Sequence, residues 1–182
     1  MICTQRDDAE SFGLLLNRNR GFVVQYLSRM VQNQAVAEEL AQDVFVRVYR
    51  SRHAYEPSAR FSTWLYRIAT NVALNHIRDR RRYLRDVSLD FTESERLRRE
   101  VPDRAPTVED RMVQDVRSQE VRSAIHSLPA KQRAAVILHK YHELSYGQIG
   151  KAIGCSPAAV KALMFRAYET LRVRLTYLGA RS

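Results

Sequence analysis

Apolar residues recur every three or four positions along most of this chain, which is the spacing that places side chains on one face of an α-helix. The pattern is clearest between residues 37 and 49, where charged and amide side chains fill the other positions. These patterns predict an all-α protein. They run over residues 9–30, 37–49, 61–82, 112–127, 130–141 and 145–177. The clearest stripe consists of Ala37, Leu40, Ala41, Val44, Phe45, Val48 and Tyr49.

The segment from residue 86 to residue 110 interrupts this rhythm. It contains Pro102 and Pro106, few apolar residues, and more acidic than basic side chains. Such a composition favours an extended or loosely structured linker. We therefore predict two small helical domains, residues 1–85 and residues 111–182, joined by an extended acidic linker over residues 86–110. The linker is either a solvated spacer or a strand that lies in a groove of another molecule.

Near the C-terminus, two short helical patterns carry the start and stop signals of a helix-turn-helix. Ser145 and Gln148 have the spacing of a capping box, and Gly154 stands where a helix would end in a left-handed turn. Ser156 then suits an N-cap, and Pro157 suits the first helical position. In a basic protein these signals predict a DNA-binding helix-turn-helix, and an ordinary helical hairpin is the alternative.

The second of these helices would be the recognition helix. Its buried side is predicted from the apolar spacing, and the opposite side and its flanks would face DNA. The basic side chains there can neutralise phosphates, and the alanines allow close approach to the bases. The predicted DNA-facing residues are Ser156, Ala158, Ala159, Lys161, Ala162, Phe165 and Arg166.

The helical pattern over residues 61–82 combines an aromatic ring, amides and arginines on one side. Ser62 or Thr63 is predicted to cap this helix. An aromatic ring beside amides and guanidinium groups suits single-stranded or opened DNA, because bases stack on the ring and arginines hold the backbone. The alternative is a buried tryptophan beside a solvated basic helix end. The residues on this side are Trp64, Arg67, Ile68, Asn71, Asn75, Arg78 and Arg82.

The charge balance points to a polyanionic partner. The net charge is +10 and the isoelectric point is near 10.1. A nucleic acid and an anionic membrane surface both fit this value. No apolar run reaches the length of a spanning helix, and the first residues lack the pattern of a signal peptide, so we expect a cytoplasmic protein.

Enzymatic chemistry finds little support in the sequence. It contains no glycine-rich phosphate loop and no nucleophile elbow, so we expect no enzyme and no cofactor. His139 and His142 lack the glutamate spacing of a zinc protease and are predicted to be a plain surface pair, with no metal site. Cys3 and Cys155 are too far apart in the chain to suggest a disulfide framework.

Three segments together resemble a known family. AEELAQDVFVRVYR, FSTWLYRIATNVALNHIRDRRR and SLPAKQRAAVILHKYHELSYGQIGKAIGCSPAAVKALMFRAYETLR occur in the order and spacing of regions 2.2, 2.3–2.4 and 4 of bacterial extracytoplasmic-function (ECF) sigma factors. The resemblance covers roughly residues 9–178. It implies a transcription initiation factor that binds core RNA polymerase and directs it to promoters, helping to melt the minus-ten element. Residues 1–85 would be sigma region 2, and residues 111–182 would be sigma region 4.

The resemblance also implies roles for particular residues. Tyr55, Ile68 and Asn71 match a pocket for a base flipped from the minus-ten element, and Trp64 would lie near the upstream edge of the bubble. The backbone of the melted strand would be held by Arg67, Arg78 and Arg81, with Asn75 and Arg82 beside them. The residues that match the surface docking on the β′ clamp helices of the polymerase are Glu39, Gln42, Asp43 and Arg47.

The same resemblance sets further expectations about partners. Region 4 would contact the β flap of the polymerase and read the minus-thirty-five duplex, and an anti-sigma factor is an expected partner. No membrane partner is expected. The helix that begins at Pro157 departs from the family pattern, because Ala159, Ala162, Leu163 and Tyr168 stand where relatives often carry polar or basic residues. The usual promoter preference of the family is therefore not carried over.

Two other classes of function stay open from the residues alone. A stand-alone helix-turn-helix repressor or activator would bind a duplex operator as a dimer. A pure interaction protein would dock its apolar and acidic faces on another protein. A sigma factor should bind core polymerase tightly and duplex promoter weakly when alone, whereas a repressor should show the reverse order.

Overall fold

The all-α prediction is confirmed in the part of the chain that the structure describes. This computed structural model describes residues 9–56, 60–88 and 109–179, and these ranges contain α-helices and one short 3-10 turn, Arg52–Ala54. The helices are α1 (Ala9–Val31), α2 (Gln34–Arg50), α3 (Phe61–Ser88), α4 (Glu109–Ser127), α5 (Ala130–His142), α6 (Tyr146–Ile153) and α7 (Pro157–Gly179).

Helices α1, α2 and α3 pack against one another and form what we call the N-terminal region. The stripe predicted for α2 does face the core: Ala37, Val44 and Val48 are fully buried. Tyr26 and Leu27 of α1 belong to the same core cluster and are likewise fully buried. Burying a side chain of this size contributes roughly 1.5–3 kcal/mol relative to leaving it in water. The hydrophobic pattern therefore located this core from sequence.

The start of α3 differs from the prediction. The helix begins at Phe61, so Ser62 and Thr63 lie inside its first turn and neither is the N-cap. The amide of Thr63 donates to the carbonyl of Arg60 over 2.9 Å, and the Thr63 hydroxyl has no hydrogen-bond partner among the described residues. The predicted cap is therefore wrong, because backbone bonds to Arg60 close the first turn without a side-chain oxygen.

The ends of the predicted linker are helical. Helix α3 continues to Ser88, six residues past the pattern that ended at Arg82, and α4 begins at Glu109. The remainder of the predicted linker, residues 89–108, lies outside the described residues.

Helices α6 and α7 form the predicted helix-turn-helix. The capping box is present: the Ser145 hydroxyl accepts from the Gln148 amide, and the Gln148 side chain accepts from the Ser145 amide over 2.8 Å. Gly154 adopts the left-handed conformation, with a φ of 75°. The Ser156 hydroxyl accepts from the amide of Ala159 over 3.2 Å, which caps α7 as predicted. Local sequence signals thus set both helix ends at this turn.

Helices α4 to α7, the C-terminal region, pack directly on the N-terminal region. Contacts join α1 to α5, α3 to α5, and α3 to α6. We call this the closed arrangement. The guanidinium of Arg133 in α5 crosses the boundary and donates to the carbonyl of Met30 at the end of α1, as well as to the carbonyls of His126 and Leu128. Nothing in the hydrophobic pattern predicted this contact.

A cluster of tyrosine, histidine and threonine side chains lies at the same boundary. The Tyr66 hydroxyl lies 2.7 Å from Nδ1 of His142, and the Tyr26 hydroxyl lies 2.9 Å from Oγ1 of Thr70. Burial, with the charge of Arg29 adding to it, lowers the pKa of His142 to about 4. Burial also raises the pKa of Tyr66 to about 12, so both groups are neutral near pH 7.

The prediction that His139 and His142 form a plain surface pair is wrong. His142 packs between the rings of Tyr26 and Tyr66, at centroid distances of 5.8 and 4.7 Å. His139 packs edge-on against Tyr146, with ring centroids 5.3 Å apart. The pattern missed this because the partners of His142 come from another region of the chain.

Candidate nucleic-acid and polymerase interfaces

The outer side of α3 presents the polar members of the predicted strand-binding set, its amides and guanidinium groups, to solvent. Successive steps of three or four residues bring them to one face, which we call the α3 outer face. All of them are exposed, and the guanidinium of Arg78 forms a 3.2 Å ion pair with exposed Asp79. Exposed amides and guanidinium groups on one helix face can contact both bases and phosphates. The α3 outer face consists of Arg67, Asn71, Asn75, Arg78, Arg81 and Arg82.

An aromatic cluster stands at the start of this helix. The ring of Trp64 lies 5.1 Å from that of Tyr55 and 5.9 Å from that of Phe61, measured between centroids. Trp64 and Ile68 are half-buried and pack against the core, whereas Tyr55 is only 7% exposed. Trp64 therefore combines a packing role with a partly open ring. Tyr55, which the resemblance placed at a base pocket, is covered in this arrangement.

The outer side of α7 is the second candidate nucleic-acid surface. Lys161 and Arg166 are exposed and supply positive charge, and Phe165 is 68% exposed between them. Ser156, Ala158 and Ala162 are also exposed, and Ala159 is half-buried. The opposite side of the helix buries Val160, Met164, Ala167 and Leu171.

The sharp turn between α6 and α7 orients this surface. A Cβ added at Gly150 would lie 2.6 Å from the carbonyl oxygen of Cys155, a distance that real Cβ atoms do not reach. The carbonyl of Gly150 accepts from the amides of Gly154 and Cys155, both over 2.9 Å. A glycine at position 150 is therefore required for the close approach of the two helices.

The outer side of α2 carries the residues predicted to dock on polymerase. Glu39, Gln42 and Arg47 are exposed, and Asp43 is half-buried. Nε of Arg47 lies 3.0 Å from both carboxylate oxygens of Asp43, and this hydrogen bond raises the pKa of Arg47. The pair lies on the protein surface, so it contributes little to stability and stays available to a partner.

An apolar groove runs beside these α2 residues. It lies between α1 and α2 and has a volume of about 570 Å³. Val46 and Tyr49 on its α2 side are 46% and 41% exposed. Apolar side chains next to polar ones are typical of a protein-docking surface. Tyr49 was predicted to lie in the buried stripe, but α1 covers only part of its ring, and the groove beside it was not predicted.

The described residues offer neither a metal site nor a membrane span. Within the part of the chain that the structure describes, no group of three or more His, Cys, Asp or Glu side chains could hold a metal ion. Over the same ranges, no helix is long and apolar enough to cross a membrane.

Comparison with protein-family models identifies both helical regions. Residues 15–83 match the model of sigma-70 region 2, and residues 118–171 match the model of sigma-70 region 4. The ECF RNA polymerase sigma factor SigW of Bacillus subtilis is 30% identical over 172 residues, which cover 94% of this chain and 92% of that protein. This chain belongs to the ECF RNA polymerase sigma factors. It is therefore a transcription initiation factor of the sigma class.

Further relatives agree with this assignment. The sigma factor CarQ of Myxococcus xanthus is 36% identical over 168 residues, covering 92% of this chain and 91% of CarQ. The fold resembles that of the sigma factor RpoE in its complex with the anti-sigma factor NepR from Bartonella quintana, with a TM-score of 0.70, 23% identity, and coverage of 92% and 98% of the two chains. CnrH, solved with the cytosolic domain of CnrY, gives a TM-score of 0.66 at 19% identity over 95% and 92% of the chains.

Proposed function

We propose that this ECF sigma factor binds core RNA polymerase through α2 and uses α3 and α7 to engage the two elements of a promoter. The α3 outer face would hold the melted strand of the minus-ten element, and the exposed side of α7 would contact the minus-thirty-five duplex. The observation that carries this proposal is the exposure of every polar residue of the α3 outer face on one helix side. RNA synthesis would be catalysed by the polymerase, so the sigma factor would catalyse no step. We also expect it to act in the cytoplasm, where the polymerase is.

The polymerase contact is supported by the α2 surface. An exposed carboxylate–guanidinium pair beside an apolar groove offers a polar rim and an apolar centre, which is how protein interfaces are commonly built. The groove between α1 and α2 would receive apolar side chains of the polymerase clamp. The Asp43–Arg47 pair would orient the approach through charge. Gln42 joins the two surfaces, because it belongs to the docking residues and also lines the groove.

Promoter binding requires the closed arrangement to open. The minus-ten and minus-thirty-five elements are named by their positions, which lie on the order of 25 base pairs apart. At a rise of about 3.4 Å per base pair this is about 85 Å. A compact protein of this length is only roughly 40 Å across. The chain between Ser88 and Glu109 would reach at most roughly 70 Å when fully extended. The two regions can therefore reach both elements only after they separate.

The composition of the α7 surface suggests how the upstream element is recognised. Lys161 and Arg166 would hold phosphates, while Ala158, Ala162 and Phe165 would lie against the bases without hydrogen bonds. Apolar contact with thymine methyl groups and the shape of the duplex would then supply most of the selectivity. We also propose an anti-sigma factor as a partner, because the structural relative RpoE was solved in complex with the anti-sigma factor NepR.

Run-off transcription with purified core polymerase tests the proposal. With this protein, transcripts should start at discrete sites on fragments of its own genome. Asn71→Ala should reduce promoter opening roughly tenfold, the value of about one lost base contact, while polymerase binding stays unchanged. Permanganate reactivity of melted thymines would measure opening, and Asn17→Ala, an exposed asparagine of α1, is the control. Loss of polymerase binding in Asn71→Ala would contradict the assignment of this face.

A second substitution tests the docking surface. Asp43→Arg should weaken binding to core polymerase, because it reverses a charge and leaves Arg47 beside another cation. Glu169→Arg is a matched control, since Glu169 forms a comparable exposed pair with Arg172 on α7. Unchanged polymerase affinity in Asp43→Arg would remove Asp43 from the docking surface. The stand-alone repressor remains testable in the same series: tight operator binding without polymerase would favour it, although the relatives above give it no support.

A further inference from the structure

Two half-buried histidines lie at the boundary between the two regions, His126 in the last turn of α4 and His142 in the last turn of α5. The ring of His142 packs against Tyr26 of α1 and Tyr66 of α3, which both belong to the N-terminal region. Its Nδ1 atom lies 2.7 Å from the Tyr66 hydroxyl, and its Nε2 atom is buried without a hydrogen-bond partner among the described residues. The closed arrangement therefore supplies the environment of this ring.

The charged side chains that act most on these histidines are cations. For His142 the group is Arg29 of α1, which lies across the boundary. For His126 the groups are Arg133 of α5 and Arg80 of α3. Within residues 9–56, 60–88 and 109–179, neither histidine forms an ion pair with a carboxylate. Positive charge is thus already concentrated where the two regions meet.

A proton added to His142 would be poorly accommodated in this arrangement. A charged imidazole carries an N–H on both nitrogens, and the buried Nε2 atom has no acceptor among the described residues. Glu143, the next residue in the chain, is exposed and forms no ion pair with His142. A helix C-terminus ordinarily stabilises a charged histidine. Burial outweighs that effect here and, with the arginine charges adding to it, lowers the pKa of both His126 and His142 to about 4.

We propose that protonation of His142 and His126 separates the two regions of this protein in acid, while the helices of each region stay folded. Separation would move Tyr26, Tyr66 and Arg29 away from His142, so that the charged ring would regain water and lose its nearest cation. The closed state would lose stability, whereas the packing within each region does not depend on these cross-boundary contacts. Acid would therefore act on the boundary before it acts on the two cores.

The pH dependence of this opening can be worked out from the two states of His142. Its pKa is about 4 in the closed arrangement and would return toward the ordinary value of 6.5 after separation. The ratio of separated to closed protein should then rise up to about 30-fold between pH 8 and pH 5. His126 should add a smaller factor, because only Arg80 moves away and Arg133 of its own region stays beside it. The closed arrangement should be complete above pH 6.5 and should open as the pH decreases toward 4.

Opening would release both promoter-binding surfaces from the closed arrangement. Acid would then favour the state that can reach the two promoter elements, and this consequence rests on the proposed function. The opening itself does not depend on that function, because it is a property of the protein alone. It can therefore succeed or fail independently of any transcription assay.

Small-angle scattering of the full-length protein between pH 8 and pH 4.5 tests the opening. The radius of gyration would be measured at constant ionic strength, and circular dichroism of the same samples would measure the helix content. The radius should increase as the pH falls below about 6, while the helix content stays constant. An unchanged radius over this range, or an increase that occurs only together with loss of helix, would overturn the proposal.

Substitution of both histidines separates their protonation from that of the carboxylates. The double variant His126→Gln, His142→Gln should remain closed over the whole range, because glutamine is polar and takes up no proton. His53→Gln is the matched control, since His53 is exposed in the 3-10 turn, and this variant should open as the unsubstituted protein does. Expansion that persists in the double variant would assign the acid response to carboxylates and overturn the proposal.

A second variant keeps both histidines in place and tests the electrostatic basis. Arg80 is exposed, so Arg80→Gln requires no repacking and gives a result even where the double variant fails to fold. It removes a cation that opposes the protonation of His126 in the closed state, so the opening should move to lower pH if and only if that charge contributes. Arg174→Gln, on the exposed side of α7, is the control. A midpoint of opening no lower in Arg80→Gln than in Arg174→Gln would contradict the role assigned to the boundary charges.

Discussion

Arg133→Met should destabilise the closed arrangement more than any surface substitution of the same kind. Arg133 is only 4% exposed, and its guanidinium donates to three carbonyls at the ends of α1 and α4. Burial is the main cause that lowers its pKa, to about 10, and the charge of Arg81 adds to it. The cation is therefore fully charged near pH 7 and is stabilised by carbonyl oxygens and by the negative ends of two helices.

The loss of stability in Arg133→Met can be worked out from the three carbonyls that lose their hydrogen-bond donor. Methionine fills a similar space but donates no hydrogen bond, so three carbonyls lose their donor at a cost of about 1 kcal/mol or more each. Removing a buried cation that has no carboxylate partner returns part of its desolvation cost. The net loss should be about 2–4 kcal/mol, which corresponds to a fall of about 5–15 °C in the thermal midpoint of a protein of this size.

Urea unfolding and small-angle scattering would measure this loss. Arg133→Met should lower the urea midpoint and increase the radius of gyration, because the bond to Met30 joins the two regions. Arg133→Lys should be intermediate, since an ammonium group cannot reach three carbonyls as a planar fork does. Arg172→Met, on the exposed side of α7, is the control and should change stability by less than about 1 kcal/mol. An Arg133→Met protein as stable and compact as the unsubstituted one would refute this reasoning.

Two further predictions concern the region boundary and the helix-turn-helix. Burial, with the charges of nearby arginines adding to it, lowers the pKa of both His126 and His142 to about 4. Below pH 6.5, the ordinary histidine pKa, the folded protein therefore binds fewer protons than the unfolded chain. The free energy of unfolding should therefore be highest above pH 6.5 and fall as the pH decreases toward 4. Urea midpoints across this range would measure that pH dependence, and His142→Gln should weaken it. Gly150→Ala should cost about 1–3 kcal/mol, because the added Cβ meets the Cys155 carbonyl. Gly21→Ala should be neutral or stabilising, because its Cβ would meet no neighbouring element of the described structure within 4 Å. Equal thermal midpoints for the two variants would contradict the tight turn.

Elements fixed by nearby residues were predictable. The helix-turn-helix follows from Ser145, Gln148, Gly154 and Ser156, whose side chains or backbone conformations act within four residues of their own position. The exposed side of α7 was predictable as well, because helix periodicity alone separates it from the buried side. The predicted N-cap of α3 was wrong because backbone hydrogen bonds to Arg60 close the first turn without a side-chain oxygen. No residue pattern distinguishes a side-chain cap from this backbone arrangement.

Residues whose role depends on a distant partner could not be predicted. Arg133 looks in sequence like one more basic residue of a basic protein, yet its partner at the end of α1 is a carbonyl about a hundred residues away. His142 lies in the last turn of α5 and looks like a surface residue until Tyr66 approaches it from α3. Thr63 fits a cap until the start of the helix is known. In each case the deciding atom belongs to another part of the structure.

The sequence by itself determined the helical class, the core stripes, the turn of the helix-turn-helix and the family to which the chain belongs. These depend on periodicity, capping and motif order, which are local or linear properties. Only the tertiary structure decided that the two regions pack together, that Tyr55 is covered, and that His142 packs between the rings of Tyr26 and Tyr66. Packing between regions is a matter of shape and of desolvating particular groups, and neither is encoded in the spacing of residues along one helix.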